Sequence, residues 1–444
     1  MTTSEDLVPL IGPWMSRQRW AARGEADLSS VTLVDSEEIP GDGPQLWWLL
    51  VRGGTAVYQV PLAVRPAADP PDVGETAVLG AIEDDTPLVV YDATADGELV
   101  LRLADQMGIE GVAGERVRFV GAEQSNTSLV IGERIILKLF RKLQAGRNPD
   151  VEVTTALDEV GFNHIASPVA VWRRGEFDLA VAQEFLAGGT EGWALALTSL
   201  RDLYACADED PAAAGGDFAS ESRRLGEMTA RLHLAMSEAF ATSPSDPERW
   251  IADLRRRADG AEPEVIAAVD RVAGAVEALG DVGPSTRVHG DYHLGQVMRT
   301  VTGWFVLDFE GEPARPLEDR RAPWPPLRDV AGMLRSLDYA AAVALGERDA
   351  DARPALAERG RAWVERNREA FLDGYFGVEG IEALLPPGAG AQAVIAFFEL
   401  DKALYELDYE KAHRPDWVSI PKQAIERLAA GYDAGDGDDG HDEP

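Results

Sequence analysis

The 444-residue chain sets 42 Lys and Arg against 77 Asp and Glu, a formal charge of -35, and this argues against a nucleic-acid backbone or an anionic membrane surface as partner. At 45% hydrophobic and 27% charged it reads as a globular protein of two or three packed units. No apolar run is as long as a membrane span, Met1 to Asp6 lack a signal core, and a lone cysteine, Cys206, excludes an internal disulfide and fits a reducing cytoplasm.

Residues 1–88 hold Trp14, Arg17, Gln18, Arg19 and Trp20, then strand-like runs at 46–51 and 56–60, parted by Pro/Asp/Gly clusters at 40–44 and 65–74. They predict a small α/β cap. Between 89 and 187 strands follow at 88–91, 117–120, 128–131 and 134–140, a helix begins near Asp150, and strands return at 166–171 and 179–185. From 188 the apolar period is helical: Leu225, Met228, Leu232 and Met236, then Val265, Val269, Val272, Val276 and Leu279. Only a stretch near 285–310 interrupts that half with strands, and segment 346–370 reads as a solvated amphipathic helix. Residues 431–444, acidic and glycine-rich, predict a disordered tail. The expected class is α+β: cap (1–88), β-rich N-lobe (89–187), mostly helical C-lobe (188–430) and acidic tail, in a bilobal eukaryotic-protein-kinase-like layout.

The stretch 289–310 carries the chemistry. It reads His289-Gly290-Asp291-Tyr292-His293-Leu294-Gly295-Gln296, then an apolar strand, then Asp308-Phe309-Glu310. Phosphoryl transfer from ATP needs a carboxylate to orient and deprotonate a hydroxyl and two oxygen ligands for Mg²⁺. Eukaryotic-type kinases space H-R-D-x-x-x-x-N and D-F-G in the same way. Asp291 is the expected base, Gln296 and Asp308 the metal ligands, Glu310 an outer-shell or second-metal group, and His293 a loop-fixing histidine.

Upstream, Lys138 lies in an apolar strand with Ile136 and Phe140, and Glu152 follows early in the next helix. Kinases place there the acid that pairs with their phosphate-binding lysine. The turn Gln124-Ser125-Asn126-Thr127-Ser128 is a candidate phosphate cradle built from backbone N–H groups and small hydroxyls. Gln183-Glu184-Phe185-Leu186, ahead of Gly188-Gly189, is the expected place for backbone contacts to adenine. ATP and Mg²⁺ are the expected cofactors. Six histidines and one cysteine make a structural zinc site an unfavoured reading.

These segments together resemble the actinobacterial maltokinases, relatives of the aminoglycoside phosphotransferases. The resemblance is carried by 122–128, by Asn148-Pro149-Asp150-Val151-Glu152, by Gly215-Gly216-Asp217-Phe218 and by His289 to Gln296. It continues through Asp308 to Pro313, Pro326 to Ser336, Glu399 to Glu406 and His413-Arg414-Pro415-Asp416-Trp417. It implies ATP, Mg²⁺, a sugar acceptor and a bilobal fold with an N-terminal cap. Two departures stand out. Trp20 is followed by Ala21-Ala22-Arg23-Gly24 where maltokinases carry an aromatic and a Gly-Lys type turn, and the segment between Trp172 and Trp193 is shorter.

Residues 397–412 predict a helix with Glu399, Glu406 and Glu410 on one face and Asp401, Tyr405 and Asp408 on another. Such acids either form a solvated face and pair with Lys402, Lys411 and Arg414, or line a sugar pocket where Tyr405 or Trp417 stacks on the ring. On the second reading the substrate-facing residues are Asp291, His293, Glu399, Tyr405, Glu406, Asp408 and Trp417. Maltokinases commonly carry an uncharged residue at the position of Asp408, and an extra carboxylate suits an ammonium group. The resemblance therefore points to the glucosamine kinase branch, glucosamine to glucosamine 6-phosphate, with maltose to maltose 1-phosphate as the alternative. An aminoglycoside phosphotransferase or a non-catalytic kinase-like binding module ranks lower. The partner expectations are a small-molecule sugar, no nucleic acid, no membrane, and a monomer or weak homodimer.

Overall fold

The computed structural model describes residues 2–21, 28, 30–83, 85–122, 126–206, 210–214, 216–312 and 315–433. It divides into two units, 1–155 with 166–187 and 156–165 with 188–444.

In the first unit, α1 (Ser4–Met15) precedes β1 (Val31–Ile39), β2 (Gln45–Gly53), β3 (Ala56–Pro66), β4 (Val78–Ile82) and β5 (Leu88–Asp92), a sheet ordered β1-β2-β3-β5-β4. Helix α2 (Gly97–Gln106) leads to β6 (Val117–Ala122), β7 (Asn126–Ile131) and β8 (Ile135–Phe140); β9 (Lys142–Leu143) returns to β3. After α3 (Pro149–Glu159), β10 (Pro168–Arg174) and β11 (Phe177–Glu184) complete a second antiparallel sheet, β10-β11-β8-β7-β6.

The two-residue period of β2 explains how the layers join. Leu46, Trp48 and Leu50 pack in one core with Leu129, Leu137, Leu139 and Val181 of the second sheet. Leu49 and Val51 face the other way, into Leu7, Ile11 and Trp14 of α1. A sheet covered on both faces reads as a continuous apolar run, as 46–51 does. The strand at 88–92, grouped in the sequence reading with those that follow, pairs instead with β3 and β4. Strand β1 escaped the sequence reading because its half-exposed, acidic residues give only a weak alternation. Buried Gln59 ties the sheets: its Oε1 accepts from Trp48 Nε1 at 3.1 Å and its Nε2 donates to the Phe140 carbonyl at 2.8 Å.

In the second unit, β12 (Thr190–Glu191) enters α4 (Gly192–Ala205) and α5 (Ala219–Phe240). Then come β13 (Ser243–Pro244), α6 (Pro247–Arg257), α7 (Pro263–Glu277) and β14 (Pro284–Ser285). The hairpin β15 (Val297–Arg299) and β16 (Trp304–Val306) pairs with β12. Helices α8 (Leu317–Arg321), α9 (Leu327–Gly346), α10 (Arg353–Phe376), α11 (Gly390–His413) and α12 (Ser419–Asp433) follow. The helix read over 346–370 is thus the end of α9 and most of α10. Residues 431–433, assigned to the tail, continue α12, since extending a formed helix is far easier than nucleating one; those from 434 on lie outside the described residues.

Helices α5 and α10 approach each other through two glycines. A Cβ on Gly226 would lie 2.0 Å from the Phe371 carbonyl oxygen, and one on Gly374 2.0 Å from that of Arg223. In an open helix Gly→Ala stabilises by about 1 kcal/mol; here the clash reverses the sign. Gly226→Ala should destabilise the protein by about 1–3 kcal/mol, read as a lowered Tm in a thermal melt. A raised Tm would contradict the close approach.

Candidate active site

In β8, Leu137 and Leu139 point into the core while Ile136 and Lys138 are half-buried on the other face. Lys138 Nζ lies 3.1 Å from Asp150 Oδ2, the side chains 12% and 1% exposed. Asn148 Oδ1 accepts the Asp150 N–H at 2.8 Å, and Pro149 opens α3 where its missing N–H is no loss. This start places Asp150 in the first turn at ion-pair distance from Lys138, with Glu152, the acid named in the sequence reading, half-buried in the same turn.

Across the ladder from Lys138 stands Ser128, fully buried, its hydroxyl without a hydrogen-bond partner among the described residues. Thr127 behaves differently. Its hydroxyl accepts from Arg141 Nε at 2.8 Å, and the same guanidinium donates to Asp92 at 2.6 Å and Thr94 at 2.7 Å. Its side chain therefore anchors the strand and does not line a cradle. Asn126 is buried, and Gln124 and Ser125 lie outside the described residues. At the end of β11 the N–H groups of Glu184 and Phe185 donate to the Ser167 and Arg134 carbonyls at 2.9 and 2.8 Å. Those two donors are already used, so adenine would have to meet other backbone groups of 183–186. Gln183 is buried and Leu186 half-buried.

In the second unit, Asp329 of α9 grips the loop before Asp291: its two oxygens accept the N–H groups of His289 at 2.7 Å and Gly290 at 2.9 Å. His289 Nδ1 accepts the Asp291 N–H at 3.3 Å, so Nε2 carries the ring proton and donates it to the Leu307 carbonyl at 2.9 Å. The loop is thereby tied to the strand end that delivers Asp308. Gln296 Nε2 and Asp308 Oδ2 are 3.3 Å apart, so the two expected metal ligands do meet. Asp308 has φ +59°, a left-handed conformation that Asp tolerates better than most side chains. Glu310, half-buried, uses its carbonyl to accept from Arg320 at 2.9 Å. His293 Nδ1 accepts the Gly295 N–H at 3.0 Å, consistent with a histidine that fixes the loop. Burial lowers its pKa, and the nearby Asp291 carboxylate only partly opposes this.

Lys402, read in the sequence only as a partner for the acids of its own helix, and Glu312 complete the surroundings of Asp291. Lys402 Nζ of α11 lies 3.3 Å from Asp291 Oδ1 and 2.7 Å from Glu312 Oε1. Arg315 Nε donates to Glu312 at 2.5 Å, and Arg328 stands 3.8 Å away. Burial works to raise the Glu312 pKa, but Lys402, Arg315 and Arg328 outweigh it and pull it down to about 2. The same contacts hold the Lys402 ammonium charged against its own burial. Asp291, Glu312, Lys402 and Tyr405 border a cavity of about 20 Å³, room for one water. Lys402 and Glu312 sit inside the family-like segments, at Glu399 to Glu406 and Asp308 to Pro313.

The acids of α11 divide as their spacing implied, and the face with three glutamates is engaged by arginines. Glu399, 2% exposed, makes two bonds to Arg368 at 2.7 and 2.8 Å. Glu406 takes Arg335 at 2.5 and 3.1 Å. Both are paired with arginines; Arg335, Asp338, Arg368 and Arg427 line a separate cavity of about 230 Å³ that contains no catalytic residue. The Trp417 ring lies tilted against Tyr339 at 6.3 Å and under the Arg414 guanidinium at 4.5 Å. On the other face Asp401 pairs with Arg257 at 3.3 Å, Tyr405 lies 5.2 Å from the Lys402 ammonium, and Asp408 is exposed. Glu399→Gln should therefore lower Tm, by about 3–5 kcal/mol of stability for an uncompensated buried charge, and leave the acceptor KM alone. A raised KM at constant Tm would restore Glu399 to the substrate.

Residues 14–96 match the maltokinase N-terminal cap domain and residues 116–366 the phosphotransferase enzyme family. The chain is 29% identical over 369 residues to a glucosamine kinase of Streptacidiphilus jiangxiensis, covering 76% of this chain and 78% of that protein. It is 28% identical over 332 residues to a glucosamine kinase of Mycolicibacterium smegmatis, covering 71% and 79%. A solved glucosamine kinase in complex with glucosamine, ADP and inorganic phosphate superposes with a TM-score of 0.66 at 21% identity, over 96% of this chain and 99% of that one. The likeness establishes the expected α+β, protein-kinase-like fold, β-rich at first and helical after. Because the phosphotransferase match takes in Lys138, Asp291 and Asp308 and runs over more than half of the sequence, this chain belongs to the phosphotransferase enzyme family.

Proposed function

We propose that this phosphotransferase is an ATP-dependent sugar kinase that converts glucosamine to glucosamine 6-phosphate. The observation that carries the reading is the alignment with two glucosamine kinases over 76% and 71% of the chain. In the first unit, Lys138 braced by Asp150 holds the nucleotide phosphates, and the unpartnered Ser128 hydroxyl beside it offers a further donor. In the second, Asp291 accepts a hydrogen bond from the acceptor hydroxyl. The hydroxyl oxygen bonds to the γ-phosphorus as the bond to the β,γ-bridging oxygen breaks; the proton passes to Asp291 and ADP leaves.

Gln296 and Asp308 suit Mg²⁺, which takes one or two protein oxygens and fills its shell from phosphates and water. Among the described residues no cluster of three His, Cys, Asp or Glu offers an all-protein site, in keeping with that division. When bound, the cation would neutralise charge on the transferred group. No helix among the described residues is long and apolar enough to cross a membrane; we read the enzyme as cytoplasmic, a monomer or weak homodimer acting on a small molecule.

The match to a maltokinase cap favours a second reading, maltose to maltose 1-phosphate. ADP release measured with glucosamine, glucose, maltose and a panel of aminoglycosides separates the two. Turnover is expected with glucosamine, and phosphorus NMR should place the phosphate on the 6-oxygen; turnover of maltose alone would overturn the amino-sugar reading. Asp291→Asn should cut kcat by about 10²–10⁴ with Tm preserved, and near-native activity would remove Asp291 as the base.

A further inference from the structure

We propose that Lys402 is a positioning residue for the base: its ammonium holds one oxygen of Asp291 so that the other is presented to the acceptor hydroxyl. The proposal rests on the reading of Asp291 as the base and deepens it.

An ammonium has three donors. Glu312 Oε1 takes one at 2.7 Å and Asp291 Oδ1 another at 3.3 Å. Lys402 does not swing freely, because Glu312 is itself held by Arg315 at 2.5 Å and the Tyr405 ring lies 5.2 Å from the ammonium. Three segments far apart in sequence thus meet at one nitrogen: the catalytic loop, the stretch after β16, and α11. The consequence for Asp291 is asymmetric. Its Oδ1 is engaged, while Oδ2 has His293 Nε2 at 3.9 Å, beyond hydrogen-bond distance, and keeps its lone pairs. A carboxylate with a free torsion presents either oxygen in many directions; one with Oδ1 tethered presents Oδ2 in one.

The surroundings favour this over a sugar-binding lysine. The cavity bordered by Lys402, Glu312 and Asp291 has about 20 Å³, enough for one water and far too little for a hexose ring. Lys402 therefore backs the base from its closed side. With the side chain only 27% exposed and two carboxylates in reach, it has no reason to leave that position for solvent.

Kinetics of Lys402→Met and Lys402→Arg test the proposal, using whichever acceptor the wild-type enzyme turns over. Methionine keeps the unbranched stem and removes the charge. It should lower kcat by about 10- to 100-fold, the scale of a misplaced reacting group, with the KM for ATP changed by less than about twofold. Arginine should recover most of the loss. Unchanged kcat with only the acceptor KM raised would make Lys402 a sugar ligand and overturn the proposal, as would an arginine variant no better than methionine. If Lys402→Met does not fold, Glu312→Gln keeps the ammonium but frees it from its firmer anchor; it should lower kcat several-fold at constant KM for ATP, and an unchanged kcat overturns the proposal. Asp291→Asn measured alongside separates the two failures. Near-native turnover there defeats the base reading itself, whereas a dead Asp291→Asn with an active Lys402→Met defeats only the part given to Lys402.

Discussion

One buried carboxylate organises the catalytic half of this protein without touching any reactant. Asp329 accepts two successive backbone N–H groups, of His289 and Gly290, with His233 Nε2 at 3.4 Å behind it. Burying a charge is costly unless it is hydrogen-bonded on several sides. Here burial works to raise the Asp329 pKa, while the His233 hydrogen bond and the loop amides more than reverse it, and the group stays ionised. The loop is thereby tied at two successive amides to α9. His289 passes that order on, through the Leu307 carbonyl, to the turn that carries Asp308 to within reach of Gln296.

Around this frame the charges are sorted by partner. The overall charge of -35 suggests an acidic site, yet the immediate neighbours of Asp291 and Glu312 are Lys402, Arg315 and Arg328. The glutamates of α11 are likewise paired, Glu399 with Arg368, Glu406 with Arg335 and Glu410 with Arg414. Around Asp291 and along α11 these charges are held in opposite-sign pairs, as a low dielectric demands.

The first unit solves a similar problem with neutral and mixed pairs. Gln59 and Arg141 cross between the cap sheet and the second sheet, each meeting backbone or side-chain groups of both. Thr127 was legible in the sequence as a cradle hydroxyl because small polar residues in a turn suit phosphate. Nothing local announced that Arg141, fourteen residues on, would claim it. Asp150 is a similar case: the sequence reading named Glu152 in the same helical turn, and the start of α3 at Pro149 brings Asp150 as well to Lys138.

What the sequence determined by itself was the chemistry and most of the elements. The spacing of Asp291, Gln296 and Asp308, the apolar strand carrying Lys138, and the two faces of α11 are local properties, set by the helical and strand periods and by the reach of a short loop. Tertiary structure alone decided which carboxylates are free. Lys402 meets Asp291 across 111 residues, Arg335 meets Glu406 across 71, and Arg368 meets Glu399 across 31. An ion pair forms between whichever opposite charges packing brings within a few ångströms, and no period along the chain encodes that distance. The same helix therefore shows two acidic faces in sequence and, once folded, pairs one with arginines and brings Lys402 to the base.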